Sequence, residues 1–367
     1  MSMTSSLRSM TEWPTVVVTD ESLREGGQIE SAEISVDDKL RLIEALADAG
    51  LTRIVVGSFV SPRWTPQMAK IDELLERLRP RPGIAYLGLA LNERGRERMR
   101  RHTPPLSIDE RPPALHAHLC EVFIKRNTNR SIEQERAEWP RLVERAVAAG
   151  ARKAMVGLSS AWGSNWTGQF SEDVRLRALG DQIDLWTRAG LTVTDVQLAD
   201  PMGWNMPHWV AATVRAIKER WPSIRSFRPH LHNQRGMAVA STYAAIATLG
   251  PGDTLWFDTT IGGIGGCPYC GNGRAAGMAP TEDIVQMLET MGIATGVDLY
   301  KLVEASALAE QIIGRTLDGH VSKSGPLPYG DRRYGLDLPF VETHHQAMHW
   351  RLGMGVVEGL PRPWEAR

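Results

Sequence analysis

Eight short β-rich segments alternating with helix-period stretches predict an α/β fold, a (β/α)8 TIM barrel with a C-terminal extension. The alternation alone also fits an open doubly wound sheet. The placement of the reactive residues favours the barrel. Nearly all the polar, reactive side chains fall at the C-terminal ends of predicted strands, which share one face in a barrel and carry its chemistry. An Ala-Gly pair also recurs at 49–50, 149–150 and 189–190, each time closing a helix just before a strand.

The first strand is predicted near 15–19 and leads into Asp20-Glu21-Ser22-Leu23-Arg24-Glu25-Gly26-Gly27-Gln28. A helix follows over 36–49, with Ser35 and Asp38 arranged as an N-terminal cap and Gly50 as its stop. The second strand, near 53–57, is followed by Ser58, and the third lies near 84–90. His116 and His118 fall in the fourth, near 114–118, and Ser159 follows the fifth, near 153–158. Asp200 follows the sixth, near 192–198, and His230 and His232 end the seventh, near 225–231. After the eighth, near 254–258, comes a glycine-rich run containing Cys267. Residues 1–14 are expected to be a flexible N-terminus and 15–317 the barrel with its closing helices. Residues 318–367, with Pro326, Pro328, Pro339 and a helical stretch near 340–351, exceed what a barrel needs. That tail covers either the barrel or a partner subunit, so a homo-oligomer is among the expected assemblies.

The 367 residues suit one barrel without requiring a second domain. A formal net charge of −1 provides no basic field for a phosphate backbone, so nucleic acid is not an expected partner. The polar start lacks a signal-peptide core, and no run approaches the roughly 20 apolar residues of a membrane span. Three cysteines are too few for a disulfide scaffold and fit a reducing compartment. The expectation is a soluble, cytoplasmic protein.

Residues two apart on a strand point to the same face, so His230 and His232 can converge on one ion with Glu25 as the oxygen donor. A bare H-x-H pair is weaker on its own, because strand histidines also serve as ordinary core hydrogen-bonding groups. His116-Ala117-His118 has the same spacing and acts as an internal control, with His118 read as a pocket residue and His116 as structural. Arg24 either stabilises a developing enolate or carboxylate or forms a loop salt bridge. Asp200 either orients substrate, acts as a base or caps the next helix.

The run Gly262-Gly263-Ile264-Gly265-Gly266-Cys267-Pro268-Tyr269-Cys270-Gly271 is a poor phosphate loop, because Pro268 interrupts the spacing. It has the letters of a Cys-x-x-Cys redox pair without the small thioredoxin-like context. It also reads as a mobile glycine loop that brings one thiol over the barrel mouth to donate or accept a proton, or as a glycine turn with incidental cysteines.

Several segments together resemble hydroxymethylglutaryl-CoA lyase and its metal-dependent carbon–carbon lyase and Claisen-type relatives. Ser58-Phe59-Val60-Ser61-Pro62-Arg63-Trp64 is similar to that family's Ser-Phe-Val-Ser-Pro-Lys-Trp segment, and Gly265-Gly266-Cys267-Pro268-Tyr269 to its cysteine loop. Leu23-Arg24-Glu25-Gly26, Thr281-Glu282-Asp283 and Thr295-Gly296-Val297 extend the likeness over about 15–317. The resemblance implies a divalent ion, magnesium or manganese with zinc as a further candidate, held by Glu25, His230 and His232. It implies Arg24 and Cys267 as catalytic candidates, beside Asp200 from its place after the sixth strand, and an acyl-CoA substrate with a 3-hydroxyl and a carboxylate-bearing branch. Gln28, Ser58, His118, Arg126, Asn127 and Ser159 are the substrate-binding candidates, with Arg126 and Asn127 toward the CoA arm. The implied reaction yields acetyl-CoA and a keto acid.

Three positions depart from that pattern. Val55 stands where the lyase has a glutamate, and Met278 stands where it has an asparagine metal ligand. Asn272 replaces that ligand only if the loop folds differently. Glu25 stands for an aspartate, as it does in related homocitrate synthases. These differences admit an aldolase or Claisen-condensing relative acting on another acid, or a catalytically silent barrel that binds acyl-CoA.

Overall fold

The computed structural model describes residues 12–108, 111–271 and 277–334. The helical stretch expected near 340–351, Asn272 and most of the N-terminal segment lie outside the described residues. The chain divides at Gly325 into two units. In the second, the described residues run from Pro326 to Tyr334 and contain one 3-10 turn, Gly330–Arg332.

Eight parallel strands form the main sheet among the described residues: β1 (Thr15–Asp20), β2 (Arg53–Ser58), β3 (Ala85–Leu89), β4 (Ala114–His118), β5 (Lys153–Ser159), β6 (Thr192–Asp200), β7 (Ser226–Leu231) and β8 (Thr254–Thr259). Between or after them run α1 (Val36–Asp48), α2 (Ile71–Arg77), α3 (Glu93–Arg100), α4 (Glu121–Thr128), α5 (Ile132–Ala148), α6 (Glu172–Arg188), α7 (Pro207–Arg220), α8 (Ala238–Thr248), α9 (Thr281–Thr290), α10 (Leu299–Ile313) and α11 (Val321–Ser324). All eight expected strands are present.

The ladder joining β1 to β8, from Thr15↔Thr254 to Asp20↔Thr259, decides between the two architectures that periodicity left open. It pairs the first strand with the last, which curls the sheet into a TIM-barrel-like fold. Strand order is β3-β2-β1-β8-β7-β6-β5-β4, so β3 and β4 are its two edges among the described residues.

Local chemistry sets the element boundaries. The Ser35 hydroxyl accepts from the Asp38 N–H at 3.0 Å, and Ser131 with Gln134 forms a reciprocal capping box at the start of α5; a good N-cap is worth about 1 kcal/mol. Each Ala-Gly joint ends its helix with glycine at positive φ, +96°, +76° and +82° at Gly50, Gly150 and Gly190. At Gly50 a Cβ would also meet the Gly296 carbonyl oxygen at 2.6 Å.

Alternation along the strands sorts the side chains into an outer and an inner set. Leu115, Val156, Leu198, Phe227 and Phe257 are buried against the helices, each such burial contributing about 1.5–3 kcal/mol. On β5 to β8 the intervening positions Ser159, Gln197, Arg228, His230, Trp256 and Asp258 line the central cavity. No helix among the described residues is long and apolar enough to cross a membrane.

Candidate active site

The acidic loop after β1 is held by its own first carboxylate. Asp20 is fully buried and accepts from the Ser22 N–H and hydroxyl, both at 2.9 Å, and from the Thr281 hydroxyl at 3.1 Å. Burial raises its pKa to about 6. With that end fixed, residues Ser22–Gly26 wind into a π-helical turn, a local irregularity that often occurs at functional sites. Gly26 is required there, because a Cβ would lie 2.6 Å from the Ile264 side chain on the glycine run.

The turn presents Glu21, Arg24, Glu25 and Gln28 to a cavity of about 250 Å³ that also receives Asn127, Ser159, His230, His232, Asp258 and Cys267. Glu25, His230 and His232 each offer one donor atom, and the three lie within 4.8 Å of one another. His232 Nε2 is 3.5 Å from Glu25 Oε1. Arg24 Nη1 contacts both Glu21, at 2.9 Å, and Glu25, while the Gln28 amide donates to Glu25 Oε1 at 2.6 Å.

The electrostatics suit a cation. Burial works to raise the pKa of Glu25, but Arg24 and the two histidines overcome it and hold the carboxyl below its ordinary value. Burial pushes His232 down to about 3, leaving the neutral imidazole that ligation needs. Its Nδ1 is buried without a partner among the described residues. At His230 burial is overcome by Asp258, 2.9 Å from Nδ1, and by Glu21 and Glu25, so its pKa rises to about 9. Three carboxylates around one imidazole mark a place for positive charge, and the donor set of one oxygen and two nitrogens fits a divalent ion.

The remaining expected residues separate by position. Asn127, Ser159 and Cys267 line the cavity, whereas Ser58, His118, Arg126 and Asp200 do not. The His118 ring sits 2.6 Å from Glu135 on α5, which turns it away from the pocket expected for it. Arg126 Nε donates to the Tyr269 carbonyl at 2.9 Å and so braces the cysteine loop from outside. Asp200 is buried and accepts from the Trp204 and Asn205 N–H groups and from the Asn205 amide, which also reaches the His232 carbonyl at 2.8 Å. Its carboxylate organises the loop after β6.

Asp258 was not among the expected site residues. Its signal was the alternation of Trp256 and Asp258 with the outward Leu255 and Phe257 on β8. Val55 lines the wall, and Met278 is fully buried and bridged by backbone to His232.

A TIM-barrel-like fold with an acid, two histidines, an arginine and a thiol gathered at the C-terminal ends of its strands has its candidate site where barrel enzymes carry their chemistry. Residues 15–309 match the HMGL-like family model, and the chain belongs to that family. It is 32% identical over 304 residues to the 3-hydroxy-3-isohexenylglutaryl-CoA/hydroxymethylglutaryl-CoA lyase of Pseudomonas aeruginosa, covering 82% of this chain and 94% of that one. It is 31% identical over 322 residues to the (R)-citramalyl-CoA lyase of Chloroflexus aurantiacus, covering 85% and 95%. Among solved structures, the hydroxymethylglutaryl-CoA lyase of Pseudomonas aeruginosa superposes with a TM-score of 0.69 at 30% identity over 85% of this chain and 98% of that one. That of Acinetobacter baumannii, solved with coenzyme A and 3-methylmalate, gives 0.69 at 27% identity over 85% and 96%. The protein is accordingly a lyase of the hydroxymethylglutaryl-CoA lyase kind.

Proposed function

We propose that the chain is a divalent-metal-dependent lyase, with magnesium or manganese as its ion. Its substrate would be a 3-hydroxy-3-methylglutaryl-CoA-like thioester, cleaved between C2 and C3 to acetyl-CoA and a keto acid. The observation that carries this reading is the convergence of Glu25, His230 and His232 within 4.8 Å in the cavity that Arg24 and Cys267 also line.

A divalent ion on those three residues supplies Lewis acidity toward substrate oxygens. The protein's own groups do the rest. Arg24 is held firmly cationic, because Glu25 and Glu21 outweigh its burial, and it stabilises the negative charge that collects on the thioester oxygen as the bond breaks. The 3-hydroxyl loses its proton to solvent as the C3 carbonyl forms, and Cys267, partly buried in the cavity wall, hands its proton to the C2 carbanion and is reprotonated from solvent. Gln28 and Asp258 keep Glu25 and His230 in place.

Purified protein with magnesium or manganese should release acetyl-CoA from 3-hydroxy-3-methylglutaryl-CoA or a branched analogue and stop when a chelator is added. Cys267→Ala should lower turnover by roughly 10²–10⁴-fold, the ordinary worth of a proton-transfer group, while manganese binding measured by calorimetry stays unchanged. An unchanged rate would remove the thiol from the mechanism. A different acyl branch, or the condensing direction, is a second reading favoured by Val55 in the cavity wall and Met278 beside His232. Mass spectrometry of products from a thioester panel separates the two.

A further inference from the structure

The cavity continues below the Glu25, His230 and His232 cluster, through Gln197, Arg228 and Trp256. Gln197 on β6 and Arg228 on β7 are register partners, and the next inward pair toward the mouth is Ala199 with His230. They therefore form the layer directly beneath the cluster, two residues or roughly 7 Å along the strands. Barrel layers of this kind are usually filled by branched apolar side chains. Here the layer holds a primary amide beside a guanidinium.

The two groups are partly committed. Arg228 points Nε and Nη2 at Asp195 Oδ1, both at 3.1 Å, and its guanidinium carbon stands 4.2 Å from the Trp256 ring centroid. Asp195 thus takes one edge of the fork, leaving Nη1 without a hydrogen-bond partner among the described residues. The Gln197 side chain, half-buried in the cavity wall, makes no hydrogen bond to them. The neighbouring wall sets apolar Val55 and Leu87 beside the cationic Arg53 and Arg111, and Arg53 stands 5.0 Å from the same Trp256 ring, so the recess carries positive charge that favours an anion.

We propose that Gln197 and Arg228 form a carboxylate subsite that reads the acid end of the substrate's acyl branch. They would then be the specificity-determining residues of this lyase. The inference rests on the lyase reading above, since it assumes that the reacting carbons lie at the cluster one layer higher. A carboxylate accepts from the free arginine edge and from the amide at once. A branch ending in methyl leaves both donors buried and unpaired, the situation in which a polar site discriminates most strongly.

The test compares 3-hydroxy-3-methylglutaryl-CoA with its analogue in which the terminal carboxylate is a methyl group. Wild-type protein should favour the acid by about tenfold or more in kcat/KM, the effect of a charge-assisted hydrogen bond. Gln197→Leu should raise KM for the acid about tenfold, leave kcat within about twofold, and shrink the preference to what the Arg228 edge alone supports. Arg228→Lys, which keeps a charge for Asp195 and so protects the fold, should weaken the preference in the same direction.

Binding of both thioesters to metal-free protein, measured by calorimetry, gives a readout independent of turnover. Tighter binding of the acid by wild type than by Gln197→Leu supports the subsite even if neither thioester is cleaved, an outcome that would sink the lyase reading alone. Equal binding of acid and methyl forms by wild type and both variants overturns the subsite, whatever the turnover.

Discussion

His116–His118 on β4 and His230–His232 at the end of β7 have the same spacing, on parallel strands of one sheet, and came to opposite ends. The His116 ring fills the space over its register partner Gly157, where a Cβ would come within 2.3 Å of Nδ1. Burial lowers its pKa to about 4. His118 is fixed to Glu135 through both ring and backbone. The second pair stands with ring centroids 5.3 Å apart, and His232 lies one residue beyond its strand. There an acidic turn from β1 supplies Glu25, and Glu21 and Asp258 flank His230. Spacing puts two imidazoles on one face; which carboxylates reach that face, and from which element, determines what the imidazoles can do.

The strongest way to break this contrast is to remove a ring from each pair. His232→Ala should weaken manganese binding roughly a thousandfold, beyond the 10–100-fold that loss of an outer partner costs, while His116→Ala leaves it within about twofold. Comparable losses in both variants, read by calorimetry, would erase the distinction.

A pH series on metal-free protein comes next. The folded pKa of His116 lies below its ordinary 6.5, so its contribution to stability is intact above pH 6.5. It is lost as the pH falls toward 4, by about 1.4 kcal/mol for each unit. His116→Gln should flatten that slope in denaturation curves.

A smaller effect is expected at Asp258→Asn, which should reduce manganese affinity about tenfold by loosening His230. Smallest is Glu135→Ala, expected to cost about 1 kcal/mol of stability and no metal affinity. Weakened metal binding in that variant would mean that β4 serves the site after all.

The strand count, the helix caps and the metal-competent trio were legible in the sequence because each depends on local pattern: alternation, a capping hydroxyl, two residues on one face. Closure of the sheet was legible only indirectly, through the reactive residues gathered at strand ends, since the β1–β8 ladder itself joins residues some 240 positions apart. Direction at a strand end was hidden. His118 and Asp200 occupy the positions expected of pocket residues, yet Glu135 and Asn205 claim their polar atoms. Asp258 and Arg228 lie inside strands whose pattern signals apolar burial, so no local motif in the sequence singles them out. The inward half of the same alternation carried the chemistry.

The glycine run has a mechanical consequence. Gly277 N–H donates to the Gly265 carbonyl at 2.7 Å, and Asn233 N–H, next to His232, donates to the Gly277 carbonyl at 2.8 Å. The two legs of the cysteine loop are thus laced to each other and to the segment that carries a metal-competent histidine. Cys267 lies two residues from Gly265, so the backbone that carries the thiol is anchored on that side next to the segment that carries His232. A substitution that moves one of these backbone joints should therefore move the thiol's anchor and the histidine's strand end together.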